Sequence, residues 1–157
     1  MGTRMMNTEQ QTADRRRALE AMAAMPAARL AERYARLAEV APASLPVRGP
    51  EIGAVMVRGR AGGGGAAFNL GEASVTRATV KLAGGEIGHA VVLGRDGEKA
   101  RMVAHLDALR QLPEWVQRID DEIVIPARQL QNDAECRLAE ETEATRVNFF
   151  TLVRGED

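Results

Sequence analysis

Residues 74–93 read SVTRATVKLAGGEIGHAVVL, and this stretch decides the fold. From Ser74 to Leu82 the side chains alternate between two faces, which is the period of a β-strand. Gly84 and Gly85 are a two-residue hairpin signal that leads into a second strand, Ile87–Leu93. Strands joined by so short a connection are antiparallel neighbours. The stretch therefore predicts an antiparallel sheet, with one strand face formed by Thr76, Ala78, Val80 and Leu82.

The residues before this stretch predict one more strand and two helices. Ala54–Arg60 alternates like a strand, and the glycines that follow it predict a Gly-rich hairpin loop. Thr8 and Gln11 fit a capping box, so the first helix is expected to begin there and to end at Pro26. A second helix follows, with an apolar stripe formed by Leu30, Tyr34, Leu37 and Ala38. These helices predict an N-terminal helical hairpin, preceded by a flexible tail over residues 1–7.

The residues after the sheet predict flanking helices and a last strand. Asp96 is a plausible N-cap for a helix that runs to about Gln111 and buries Val103, Leu106 and Leu109. A short helix is expected at Glu114–Ile119, an extended piece at Ile123–Ile125 and a charged helix at 127–144. Val147–Val153 is apolar on both faces, and a strand of this kind is covered twice. The fold class is therefore α+β, and another subunit is expected to supply the second cover.

Composition narrows the class of protein. The 157 residues contain 19 arginines but only two lysines, and the formal net charge is −1, which argues against a general nucleic-acid binder. The charge is uneven, since residues 119–157 carry four basic and ten acidic side chains. No uncharged run approaches the roughly 20 apolar residues of a membrane span. Cys136 is the single cysteine, which excludes a disulfide framework. We expect one domain over residues 1–157.

An anion site is the most specific chemistry that the residues suggest. A glycine-rich loop can bring backbone N–H groups close to phosphate oxygens, and arginine is a bidentate phosphate ligand. The candidate residues are Arg60, Gly62, Gly63, Arg77 and Arg95. Two alternatives remain open: the glycines form only a flexible hairpin tip, and the arginines pair with Glu72, Asp96 or solvent.

Catalytic and metal-binding patterns find little support. Two histidines without a cysteine pair give no recognisable metal site, and we expect His89 and His105 to be structural. Neither of the two serines lies in a nucleophile elbow. Cys136 follows Glu135, which disfavours a thiolate. No catalytic residue is therefore predicted.

Three blocks and the chain's ending together resemble the PhnG family, whose members are small subunits of the carbon–phosphorus lyase system for phosphonates. The blocks are Arg60–Glu72 (RAGGGGAAFNLGE), Val75–Arg77 (VTR) and Gly94–Asp96 (GRD), and the ending is Arg146–Gly155 (RVNFFTLVRG). Asp107-Ala108-Leu109 also fits. The resemblance covers roughly residues 15–156, whereas the N-terminal helices match only in kind. The four-glycine run is denser than the family pattern.

The resemblance implies a cytoplasmic, accessory subunit rather than a catalyst. It implies a complex with PhnH, PhnI and PhnJ counterparts that contains two copies of this chain. PhnL- or PhnK-like ATPases are expected to join this complex transiently. For the isolated chain, a homo-oligomer is the alternative. Such a complex uses ATP as substrate and displaces its adenine by a phosphonate, giving α-D-ribose 1-methylphosphonate 5-triphosphate, and this chain needs no cofactor of its own.

Two other functions stay open at this stage. The chain could itself be the transferase or nucleosidase, or it could be an unrelated anion-binding module. The expected partner interface lies in the last strand, at Phe149, Phe150, Leu152, Val153 and Arg154. Most of the arginine excess, including the run Arg15–Arg17, is interpreted as compositional bias.

Overall fold

The computed structural model describes residues 2–60 and 64–145, with side chains from Glu9 onward. Five α-helices, three strands and one π-helical turn follow one another along these residues. In chain order they are α1 (Gly2–Ala24), α2 (Ala27–Ala38), β1 (Ser44–Arg60), β2 (Ala67–Leu82), β3 (Ile87–Leu93), α3 (Gly97–Leu109), α4 (Pro113–Ile119), the π-helical turn (Asp120–Val124) and α5 (Ile125–Ala144).

The three strands form one antiparallel sheet in the order β1-β2-β3. Glu51 lies opposite Arg77 in the first pair, and Arg77 lies opposite Val91 in the second. The predicted connection at Gly84 and Gly85 is confirmed, as Gly85 donates its N–H to the Leu82 carbonyl at 3.1 Å and has a φ of 107°. The α+β prediction is confirmed.

One face of the sheet is packed, and we call the other the open face, because its described residues are exposed or half-buried except for Val75. The buried face of β2 is the one formed by Thr76, Ala78, Val80 and Leu82, and alternate residues of β3 join it, at Ala90 and Val92. Helix α3 packs across this face, and α1 and α2 each contact α3 in turn. No residue of β1 is buried. The core therefore lies between α3, the N-terminal helices and one side of β2 and β3.

Helix α3 lies very close to the sheet. The carboxylate of Asp96 accepts the Lys99 N–H at 2.9 Å, which confirms the predicted N-cap. All residues from Val103 to Leu109 are buried. A Cβ added at Gly88 of β3 would collide with the backbone carbonyl of Ala104. Glycine at this position therefore permits the close approach of helix and strand.

Several predicted boundaries need correction. Helix α1 begins at Gly2, so the backbone of residues 2–7 belongs to the helix rather than to a tail outside it. Strand β1 begins ten residues before Ala54 and includes Pro46 and Pro50, which an edge strand tolerates because it has unpaired N–H positions. Ile123–Ile125 is helical instead of extended. Its buried side chains continue a helical spacing from Ile119 to Ala127, and packing in that spacing overrides the β-propensity of the short apolar run.

Two predictions concern residues outside the described ranges. One is the strand Val147–Val153 together with the expected interface residues Phe149, Phe150, Leu152, Val153 and Arg154. The other is the part of the anion site formed by Gly62 and Gly63. None of the described helices is both long enough and apolar enough to span a membrane.

Candidate functional site

Arg77 lies on the open face of the sheet and shares a carboxylate with a second arginine. Its Nε is 3.3 Å from Oε2 of Glu51, which is its partner across the β1–β2 ladder. Arg48 donates from Nε to both oxygens of Glu51, at 3.1 and 3.0 Å. These hydrogen bonds from Arg48, followed by the charges of both arginines, lower the pKa of Glu51. The cluster carries one net positive charge on an exposed face.

Arg95 lies at the corner between β3 and α3. Its side chain is exposed and forms no hydrogen bond or ion pair within residues 9–60 and 64–145. The next residue, Asp96, already places a carboxylate on the N-terminus of α3. The positive end of the helix is thereby partly neutralised. The guanidinium of Arg95 is therefore unpaired within the described part of the chain.

Arg60 is far from the other two arginines. It lies opposite Ala67 at the tip of the β1–β2 pair, and ten strand positions separate Ala67 from Arg77. At about 3.3 Å per residue this is roughly 30 Å. The described residues therefore do not bring Arg60 and Arg77 together. Arg77 lies opposite Val91, two residues before the end of β3, and Arg95 lies two residues after that end. Anion binding by these residues stays a prediction.

A buried ion pair that the sequence did not indicate joins α1 to α3. Arg15 donates from Nε and Nη2 to the two oxygens of Asp107, at 2.8 and 2.7 Å, and the backbone N–H of His89 donates to the same carboxylate at 2.9 Å. The Asp107 side chain is 1% exposed and that of Arg15 is 40% exposed. The hydrogen bond to Asp107 raises the pKa of Arg15. The interpretation of Arg15 as compositional bias is therefore wrong, although Arg16 and Arg17 make only local surface pairs.

This ion pair borders a cavity of about 560 Å³ between α1, α3 and α4. A second bidentate pair, Arg110 with Asp120 at 2.7 and 2.9 Å, lies beside it. Gln111 also lines the cavity and donates to the carbonyls of Ile87 and Asp107. Both arginines are matched by carboxylates, so the groups around this cavity hold the helices together and leave no uncompensated positive charge for an anion.

A second cavity, of about 550 Å³, lies where β1 and β2 meet α2 and α3. His105 forms part of its wall. The ring contacts the Tyr34 hydroxyl through Nδ1 at 2.7 Å and the Pro42 carbonyl through Nε2 at 2.8 Å. Burial lowers the pKa of His105, so the neutral ring donates from Nε2 to Pro42 and accepts from Tyr34. Both ring nitrogens are engaged within the fold, which fits the structural role predicted for this histidine.

No reactive constellation is visible in the part of the chain that the structure describes. His89 is exposed, and its Nδ1 lies 3.1 Å from the Thr79 hydroxyl. Cys136 is an exposed free thiol on α5. Among the described residues, no group of three or more His, Cys, Asp or Glu side chains is placed to hold a metal ion. The arrangement supports binding and packing roles.

Comparison with known proteins identifies the family. A family model described as "Phosphonate metabolism protein PhnG" matches residues 13–155. The chain is also similar to the protein of Rhizobium meliloti (strain 1021) named "Alpha-D-ribose 1-methylphosphonate 5-triphosphate synthase subunit PhnG". The two are 56% identical over 117 residues, which is 74% of this chain and 74% of the relative. The match to the family model spans Arg77, Arg95 and Asp107, and it also spans Arg15. The chain therefore belongs to the PhnG family.

Proposed function

We propose that this chain is an accessory, non-catalytic subunit of an α-D-ribose 1-methylphosphonate 5-triphosphate synthase. The observation that carries this proposal is the 56% identity to a protein named as a subunit of that synthase. The described residues add support, since they expose charged and apolar side chains that are available for contact with other subunits. A subunit of this kind contributes surfaces to a shared site.

The proposed partners are the PhnH, PhnI and PhnJ counterparts, with PhnL- or PhnK-like ATPases joining transiently and two copies of this chain per complex. ATP is the proposed substrate of the complex, and a phosphonate displaces its adenine. Because the reaction consumes ATP, we place it in the cytoplasm. This chain would need no cofactor of its own.

Association is tested by co-expressing the chain with the PhnH, PhnI and PhnJ counterparts and separating the products by size-exclusion chromatography. The proposal expects this chain to elute with the other subunits in a fixed ratio. Elution of the chain apart from all three would contradict it.

A contribution to the anion site is proposed for Arg77 and Arg95. Arg77 is the second arginine on the Glu51 carboxylate, and the guanidinium of Arg95 has no partner among the residues that the structure describes. Arg60 lies roughly 30 Å along the ladder from Arg77, so Arg60, with Gly62 and Gly63 near it in the sequence, is proposed as a separate anion contact. We expect Arg77→Ala to leave assembly intact and to slow adenine release from ATP by the complex. Full activity of Arg77→Ala would remove the main support for this site, and Arg16→Ala is the matched surface control.

A further inference from the structure

The β1–β2 hairpin extends well beyond the rest of the sheet. Pairing of β2 with β3 ends where Val75 meets Leu93, yet pairing of β1 with β2 continues to Arg60 and Ala67. We call residues 54–60 and 67–74 the hairpin arm. Each of these residues is exposed except Gly59 and Ala73, which are half-buried. The arm is therefore a two-stranded ribbon with no covering layer among the described residues.

The arm carries large apolar side chains that face solvent. Their exposed fractions are 44% for Val55, 52% for Met56, 40% for Val57, 46% for Phe68 and 63% for Leu70. Val55 and Val57 point to one face of the ribbon, and Met56 points to the other, because successive strand residues alternate. An isolated two-stranded hairpin is at best marginally stable in water. Large apolar side chains exposed on both faces are typical of a segment that is enclosed by a partner.

Glycines in the hairpin arm also allow another surface to approach its backbone closely. A Cβ at Gly59 would collide with the side chain of Leu70, so glycine lets Leu70 lie across the ribbon. A register shift after Val57 places this crossing near the tip. Gly71 adds a second position without a side chain. These glycines keep the arm thin where the apolar side chains are concentrated.

The charges of the hairpin arm indicate which kind of partner surface can cover it. Arg58 and Arg60 form no ion pair within the described residues, and Glu72 is the single acid, so the arm is net positive. Packing the arm of a second copy on this one would bring together surfaces of the same sign. A groove with apolar walls and carboxylates at its rim complements both the side chains and the charge. The arm contains too few cations, and too many aliphatic side chains, for a nucleic-acid surface.

We propose that the hairpin arm inserts into an apolar, carboxylate-rimmed groove of another protein subunit of the same complex. This inference rests on the proposed function, since it assigns the surface by which the accessory subunit is held. Fifteen arm residues enclosed on both faces approach the roughly 20 to 30 residues per side of a standard interface. The open face of the sheet, with Val91 at 59% and Leu93 at 75% exposure, extends the same surface.

The test compares Leu70→Asp with Val40→Asp in the full-length chain, co-expressed with the other synthase subunits. The two residues are matched in exposure, at 63% and 60%, but Val40 lies after α2, away from the arm. Circular dichroism and the melting temperature of each purified variant verify the fold. We expect Leu70→Asp to weaken association at least tenfold and Val40→Asp to leave it within twofold of the wild type. Arg58→Glu combined with Arg60→Glu should also weaken association at least tenfold.

The possible outcomes separate this inference from the proposed function. If the wild type fails to join the complex, the proposed function is wrong, and this inference is wrong with it. If the wild type and Leu70→Asp join equally well, this inference alone is overturned. If the isolated wild-type chain is a dimer that Leu70→Asp converts to a monomer, the occupant is a second copy, and the assignment to another subunit is overturned.

Discussion

Replacing Arg15 by alanine tests how the N-terminal helix is held to the core. The change removes both donors from Asp107 and leaves a carboxylate that is 1% exposed with one remaining donor, the N–H of His89. A buried charge without its partner is strongly unfavourable. In contrast, Arg15 without Asp107 could turn its half-exposed guanidinium toward water.

The expected loss follows from these contacts. Removing one member of a buried ion pair costs about 3 to 5 kcal/mol. The 40% exposure of the Arg15 side chain allows some solvent to reach the site, so the lower end applies, about 3 kcal/mol. For a chain of this length that corresponds to a fall of about 10 °C in melting temperature. The double variant Arg15→Ala, Asp107→Ala carries no orphaned charge and should be more stable than Arg15→Ala by about 1 kcal/mol.

Urea denaturation of the isolated chain, followed by circular dichroism, measures these differences in the free energy of unfolding. Arg16→Ala is the matched control, because Arg16 pairs with Glu20 on the surface with side-chain exposures of 81% and 61%. It should change stability by less than about 0.5 kcal/mol. The reasoning is refuted if Arg15→Ala is as stable as Arg16→Ala, or if the double variant is less stable than Arg15→Ala.

Further predictions concern α3 and its neighbours. Gly88→Ala forces a methyl group into the backbone of α3 and should cost at least about 3 kcal/mol, whereas Gly53→Ala, with open space around it, should be tolerated; urea denaturation compares them. Tyr34→Phe removes one hydrogen bond to His105 and should lower the free energy of unfolding by about 1 kcal/mol in the same assay. Burial lowers the pKa of His105 in the fold, so the unfolded chain binds this proton first as the pH falls below the ordinary value of 6.5. Stability contributed by a neutral His105 is then present above that pH and lost below it. Melting temperatures from pH 7.5 to 5 should fall less for His105→Asn than for the wild type, and an equal fall would contradict this assignment.

The sheet could be predicted from sequence because its signals are local. Alternation in β2 and the Gly84-Gly85 turn predict both the pairing of the strands and which side chains share a face before any tertiary contact is considered. The start of β1 could not be predicted in this way, because proline is unfavourable inside a strand and only an edge position makes Pro46 and Pro50 acceptable. The prediction that Ile123–Ile125 is extended is wrong for a related reason, since three apolar residues fit either a short strand or a buried helical turn.

The candidate site was less accessible to sequence reasoning. Arg15 and Asp107 are 92 residues apart, and nothing near Arg15 distinguishes it from Arg16 or Arg17. Arg77 and Arg95 are exposed, and anion binding by them stays a prediction. The pairing of Arg77 with Glu51 could not be read from the sequence, because it depends on a strand register with three irregular steps. The exposed hairpin arm was also missed, because alternation indicates a strand without indicating whether anything covers it.

Adenine release from ATP in the presence of methylphosphonate tests the central claim most directly. The complete co-expressed complex, the complex lacking this chain and the chain alone are compared by chromatography of the released base. An accessory role predicts release by the complete complex, loss of release when this chain is left out, and none from the chain alone. Release of adenine by the isolated chain, or full activity of the complex without it, would contradict the account.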